Sequence, residues 1–92
     1  MTTTQVLIPA PLRAYTEQRK TVEIAESTVG RLLGKLVETY PDLKAQLYDA
    51  EGKLRRFVNV YVRDEDIRYL ENDRTALRPG DVVSLVPSVS GG

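Results

Sequence analysis

The residues of this chain best suited to chemistry are its last two. Gly91 and Gly92 close the run Pro87-Ser88-Val89-Ser90-Gly91-Gly92, so the chain ends in bare backbone and a carboxylate. With no Cβ atoms, such an end can pass through a channel too narrow for any side chain and approach a reactive group. A glycine doublet alone is a weak signal. With glycine at about 7% of residues, chance supplies one in about 1 chain in 200, and chain ends are commonly frayed. The doublet gains force only if the residues before it build a holder for it.

Other routes to chemistry are narrow. The chain contains no His and no Cys. Ser-His and Cys-His nucleophile pairs are therefore impossible, as are zinc sites with the usual ligands. Ser88 and Ser90 have no histidine base to activate them. Asp64, Glu65 and Asp66 are consecutive acids at a turn, which read as solvated because they do not converge on one ion; no metal is expected. No basic run is longer than Arg55-Arg56. That pair reads as a solvated edge, or alternatively as a docking contact for an acidic partner.

Composition narrows the class further. The 92 residues, 41% hydrophobic and 28% charged, suit one small globular domain. Thirteen basic and thirteen acidic residues cancel, so nothing points to nucleic acid. No apolar stretch approaches the roughly 18 residues of a membrane span. Met1-Thr2-Thr3-Thr4 lacks the regions of a signal peptide, and without cysteine there is no disulfide framework. A cytoplasmic location is expected.

The holder can be read in order. Gln5-Val6-Leu7-Ile8 is a short β-prone run stopped by Pro9 and Pro11. Lys20-Thr21-Val22-Glu23-Ile24 alternates as a half-buried strand with Val22 and Ile24 inward. The two suggest a hairpin whose long connection holds Leu12 and Tyr15. Val29, Leu32, Leu33, Leu36, Val37 and Tyr40 then fall on one face of a helix. Ser27 or Thr28 supplies the N-cap, Glu26 favours the positive end of the dipole, and Pro41 stops the helix. Gly30 and Gly34 share one side, as close packing against a sheet would require. Leu43 and Leu47 suggest a short helical turn. Phe57 to Arg63 is the strongest strand, with Val58, Val60 and Val62 on one face and Phe57, Asn59 and Tyr61 on the other. Residues 63–66 read as a polar turn and Ile67-Arg68-Tyr69 as a short return strand. Arg78-Pro79-Gly80-Asp81 has type II turn chemistry. Val82 to Val86 is the last strand, with Val83 and Leu85 on one side. The expected class is α+β, with one main helix on one face of a mixed sheet of four to five strands.

Several segments together resemble the ubiquitin-like sulfur carriers. They are Val62-Arg63-Asp64-Glu65-Asp66-Ile67-Arg68-Tyr69-Leu70, Thr75-Ala76-Leu77, Gly80-Asp81-Val82-Val83 and the Pro87-x-Val89-x-Gly91-Gly92 end. This family includes the small subunit of molybdopterin synthase and the thiamine-pathway carrier. The segment 56–62, with Asp64-Glu65-Asp66 after it, is most similar to the carrier of the actinobacterial cysteine-synthesis route. Arg63 departs from the Asn of many relatives. Ser88 and Ser90 stand where small or apolar residues are common.

The resemblance implies a β-grasp fold with the first and last strands adjacent and parallel. It implies that residues 1–87 form the domain and 88–92 a flexible tail, and that the chain is a carrier rather than an enzyme. Gly92 would be adenylated by an E1-like adenylyltransferase/sulfurtransferase using ATP and converted to a thiocarboxylate. The carrier itself would bind no cofactor. In the cysteine route the sulfur passes to an activated serine on a pyridoxal-phosphate cysteine synthase, and a JAMM-type zinc peptidase trims the extended carrier to release cysteine. Molybdopterin synthesis and tRNA thiolation remain open within the same class. A protein modifier joined to lysines, and a binding module with an inert tail, are the other readings. A monomer suits a shuttle.

Physically, Gly92 would be the reacting end and Val89, Ser90, Gly91 and Gly92 the segment that enters a partner's active site. Five extended residues reach roughly 17 Å, enough to enter while the domain stays outside. Phe57, Tyr61 and Val86 should point away from the helix, and exposed apolar residues on one face often mark a docking surface.

Overall fold

The strongest periodic segment of the chain organises the domain. Val29–Thr39 form helix α1, in which Val29, Leu32, Leu33 and Leu36 are buried. Of the two cap candidates it is Thr28 that serves: it is extended, and its hydroxyl accepts the Arg31 N–H at 3.3 Å. The helix ends before Pro41, which opens a 3-10 turn leading into the short helix α2, Lys44–Leu47. Leu43 and Leu47 are fully buried beneath it. The architecture is that of a computed structural model describing residues 3–87.

Five strands form one mixed sheet under α1. They are β1 (Thr4–Leu7), β2 (Thr21–Ile24), β3 (Val58–Val62), β4 (Glu65–Asp66) and β5 (Val82–Pro87), in the order β2-β1-β5-β3-β4. β1 and β2 pair antiparallel, joined by a long connection whose 3-10 turn, Ala10–Tyr15, buries Leu12. β1 and β5 run parallel, Gln5 opposite Val82 and Leu7 opposite Ser84. β3 pairs antiparallel with β5 from Val58 opposite Pro87 to Val62 opposite Val83. The inward faces of β1, β3 and β5 meet α1 through Val6, Val58, Val60, Val62, Val83 and Leu85, all buried. One helix over one sheet face closes a two-layer core.

Two expectations need correction. The return strand after β3 is not Ile67-Arg68-Tyr69 but Glu65–Asp66, and Ile67–Tyr69 is a 3-10 turn. Arg63 and Asp64 have φ of 52° and 65°, so they make a two-residue hairpin turn and the return begins at once. The Asp66 carboxylate then accepts the Arg68 N–H at 2.8 Å and caps the helical turn. This geometry also explains why Asn suits position 63, since Asn tolerates positive φ well.

The second correction concerns α1. Gly30 does pack closely, but against Asn72–Arg74 rather than the sheet. A Cβ there would lie 3.0 Å from both the Cβ and the carbonyl oxygen of Asp73. A Cβ on Gly34 would meet nothing within 4 Å, so no close approach explains it.

Candidate functional site

The tail's root is built from the most firmly held strand. β5 lies between β1 and β3 and is hydrogen-bonded to both. It starts from the turn Arg78-Pro79-Gly80-Asp81, where Gly80 has φ +84° and the Asp81 N–H returns to the Arg78 carbonyl at 3.0 Å. That is the type II geometry expected from Pro and Gly at these positions. β5 ends at Pro87, opposite Val58. Ser88, Val89, Ser90, Gly91 and Gly92 lie outside the described residues, and with them every tail position named from the sequence.

Of the other three named residues, Tyr61 and Val86 lie on strands of the sheet, and Phe57 lies in the turn just before β3 rather than in the strand read over Phe57 to Arg63. Phe57 is 47% exposed and Val86 42%, while Tyr61 is half-buried. Asn59 sits opposite Val86, and Tyr61 opposite Ser84. Tyr61 and Val86 thus occupy the side away from α1. Two residues not singled out in the sequence join them: Leu7, 38% exposed, and Val82, 37%. For Val82 the signal was present in the alternation of β5. For Leu7 it was not, because Val6-Leu7-Ile8 is an unbroken apolar run with no visible face. Only the parallel β1–β5 pairing brings Leu7 beside Ser84.

Polar contacts brace both ends of this face. At the end remote from Pro87, Arg63 and Asp81 form an ion pair, and Asp81 also accepts the Arg78 N–H at 2.7 Å. Toward the other end, Arg68 donates to Asp66 at 3.0 Å and also to the Asn59 side-chain oxygen. The hydrogen bond from Arg68 holds the Asp66 carboxyl below the usual carboxylate range, and Asp66 in turn raises the Arg68 guanidinium. Asp66 is thereby committed to Arg68, not to a shared site with Asp64 and Glu65.

Parallel first and last strands at the centre of a five-stranded sheet, crossed by one helix, define a ubiquitin-like β-grasp protein. The chain belongs to the ThiS family of ubiquitin-like sulfur carriers, which its residues 6–92 match. It is 40% identical over 89 residues to the sulfur carrier protein CysO of Mycobacterium tuberculosis, covering 95% of this chain and 96% of that protein. It is 36% identical over 67 residues to small archaeal modifier protein 3 of Haloferax volcanii, covering 73% and 72%. Among solved structures it resembles the Amycolatopsis orientalis BexX/CysO complex, with TM-score 0.86, 37% identity, and 97% and 99% of the two chains covered. Among the described residues no helix is long and apolar enough to cross a membrane.

Proposed function

We propose that this protein is a sulfur carrier whose reacting atom is the carbonyl carbon of Gly92. What carries the reading is the placement of β5. The strand leading to the tail is the sheet's central strand, paired on both sides and ending at Pro87. Pro87, the last described residue before the five that end in Gly91-Gly92, is thus held in a sheet paired on both sides. The similarity to CysO of Mycobacterium tuberculosis supports the same reading.

The chemistry requires little of the carrier. A carboxylate is a poor electrophile, because its charge is delocalised and its leaving group would be oxide. An E1-like enzyme joins a Gly92 carboxylate oxygen to the α-phosphorus of ATP and releases pyrophosphate. Sulfide then attacks the carbonyl carbon, AMP departs, and a thiocarboxylate remains. The carrier is the substrate of these steps and contributes no catalytic side chain. The favoured acceptor of the sulfur is an activated serine on a pyridoxal-phosphate enzyme, with a JAMM-type peptidase freeing cysteine from the extended tail.

The test is reconstitution. The thiocarboxylated chain, the pyridoxal-phosphate synthase and an O-activated serine are combined, and the peptidase is added. Free cysteine should appear only with all four present. Failure to extend the tail by one cysteine would redirect the sulfur to molybdopterin synthesis or tRNA thiolation.

A second reading has its own support in the similarity to small archaeal modifier protein 3. In it Gly92 is joined to lysines of other proteins, and lysine-linked Gly92 peptides found by peptide mapping would favour it.

A further inference from the structure

Strand β3 is paired along its whole length on one side only. Val58, Asn59 and Val60 face Pro87, Val86 and Leu85 of β5, but β4 covers just Tyr61 and Val62. β4 stops after two residues because the chain enters a 3-10 turn at Ile67. The other flank of residues 58–60 therefore has no strand beside it. A slot of about 210 Å³ opens along this flank, lined by Leu54, Val58, Val60 and Ile67. Arg55, Arg56 and Arg68 also line it.

A strand edge without a neighbour offers backbone groups to another chain; here the Val58 N–H already donates to the Arg55 carbonyl at 3.0 Å, so a partner would use the groups that remain. The charge around this edge selects which chain. Arg68 is occupied by Asp66 and Asn59. Arg55 is steadied by donating from Nε to the Ala45 carbonyl at 3.0 Å, and Arg56 is exposed. Among the described residues neither Arg55 nor Arg56 has a carboxylate within bridging distance. The slot thus presents three guanidiniums against one carboxylate, around an apolar floor.

We propose that this edge receives an extended acidic segment of a partner protein as an added strand beside β3. An apolar side chain of the segment fills the slot, and carboxylates flanking it meet Arg55 and Arg56. Strand addition draws affinity from main-chain hydrogen bonds and specificity from such side-chain pockets. The planar guanidinium fork matches carboxylates in two-point contact. Val58 lies opposite Pro87, so a strand added on the far flank of β3 would run two strand spacings, about 10 Å, from Pro87. A protein that takes the tail can hold the domain here. The proposal rests on the edge alone and stands whether or not Gly92 carries sulfur.

The test uses a synthetic peptide with two valines flanked by glutamates, titrated into the full-length isotope-labelled protein and followed by amide shifts. Shifts should gather at residues 55–60 and 66–68. Binding should weaken with added salt and fall at least tenfold in Arg55→Glu/Arg56→Glu. Because Arg55 also braces Ala45, Arg56→Glu alone serves as the second variant and should lower affinity severalfold with an unchanged spectrum. The same peptide with glutamines for glutamates should bind far more weakly. Shifts confined to Leu7, Val82 and Val86, equal binding of the neutral peptide, or no effect of either variant would overturn the proposal. So would self-association through residues 58–60 without response to the peptide, which would assign the edge to a second copy.

Discussion

Arg63 and Asp81 form an ion pair that joins the β3–β4 hairpin turn to the turn that launches β5. Asp81 has the larger role, because its carboxylate also accepts the Arg78 N–H at 2.7 Å. Removing Asp81 loses both the ion pair and the bond from the Arg78 amide, whereas removing Arg63 loses the ion pair alone. Asp81→Ala should therefore cost about 1–2 kcal/mol, and Arg63→Ala less than about 1 kcal/mol. Arg63→Asn should be close to neutral, since Asn suits the φ of 52° at that position. Urea midpoints of the three variants check the ranking.

The two glycines of α1 should respond in opposite directions. Gly34→Ala places a methyl in open space and should stabilise the protein by up to about 1 kcal/mol. Gly30→Ala gains the same helix propensity but sets its Cβ 3.0 Å from Asp73, so the gain should vanish or reverse. Leu36→Ala, at a fully buried site, should cost about 2–5 kcal/mol. Thermal unfolding of the three variants decides this.

Acid stability should depend in part on Asp66. Its folded pKa is depressed by Arg68, so its contribution is present above the ordinary carboxylate range and is lost as pH falls through the folded value. Asp66→Asn should flatten the decline in melting temperature on acidification below about pH 4. An unchanged decline would locate the acid sensitivity elsewhere, with Asp49 next in line because its carboxyl is lowered by the Lys53 and Glu51 N–H groups and nearby cations.

On the outward face, Val86→Asp should weaken binding of the activating enzyme at least tenfold, about 1.4 kcal/mol. Stability should change by less than about 1 kcal/mol, because Val86 is 42% exposed. Val83→Asp, fully buried on the opposite face of the same strand, should instead prevent stable folding. Calorimetric binding and melting curves of both variants test the assignment of faces.

These contrasts show what could be read before the structure. The 3.6 period of α1 and the alternation in β3 each announce an inward face, and the structure buries those residues except Val37, which is half-buried against the core. Pro79 and Gly80 announce their turn because each restricts or frees φ in a known way. What stayed hidden depends on partners distant in sequence. Nothing local reveals that Asp73 crowds Gly30, that Arg63 meets Asp81, or that Leu7 lies beside Ser84. The return strand starts earlier than the local pattern indicates, because Arg63 and Asp64 adopt positive φ without the Asn-Gly chemistry that marks a two-residue turn. The two terminal glycines stand out for the opposite cause: their proposed reactivity rests on their lacking side chains, not on any fold around them.

The most direct measurement is the intact mass of the chain after incubation with an E1-like activating enzyme, ATP and a sulfide source. The account predicts a gain equal to one oxygen replaced by one sulfur, located on Gly92 and absent from a chain lacking that residue, whose melting temperature is unchanged. An unaltered mass with an enzyme that charges another carrier, or sulfur still accepted after Gly92 is removed, would contradict it.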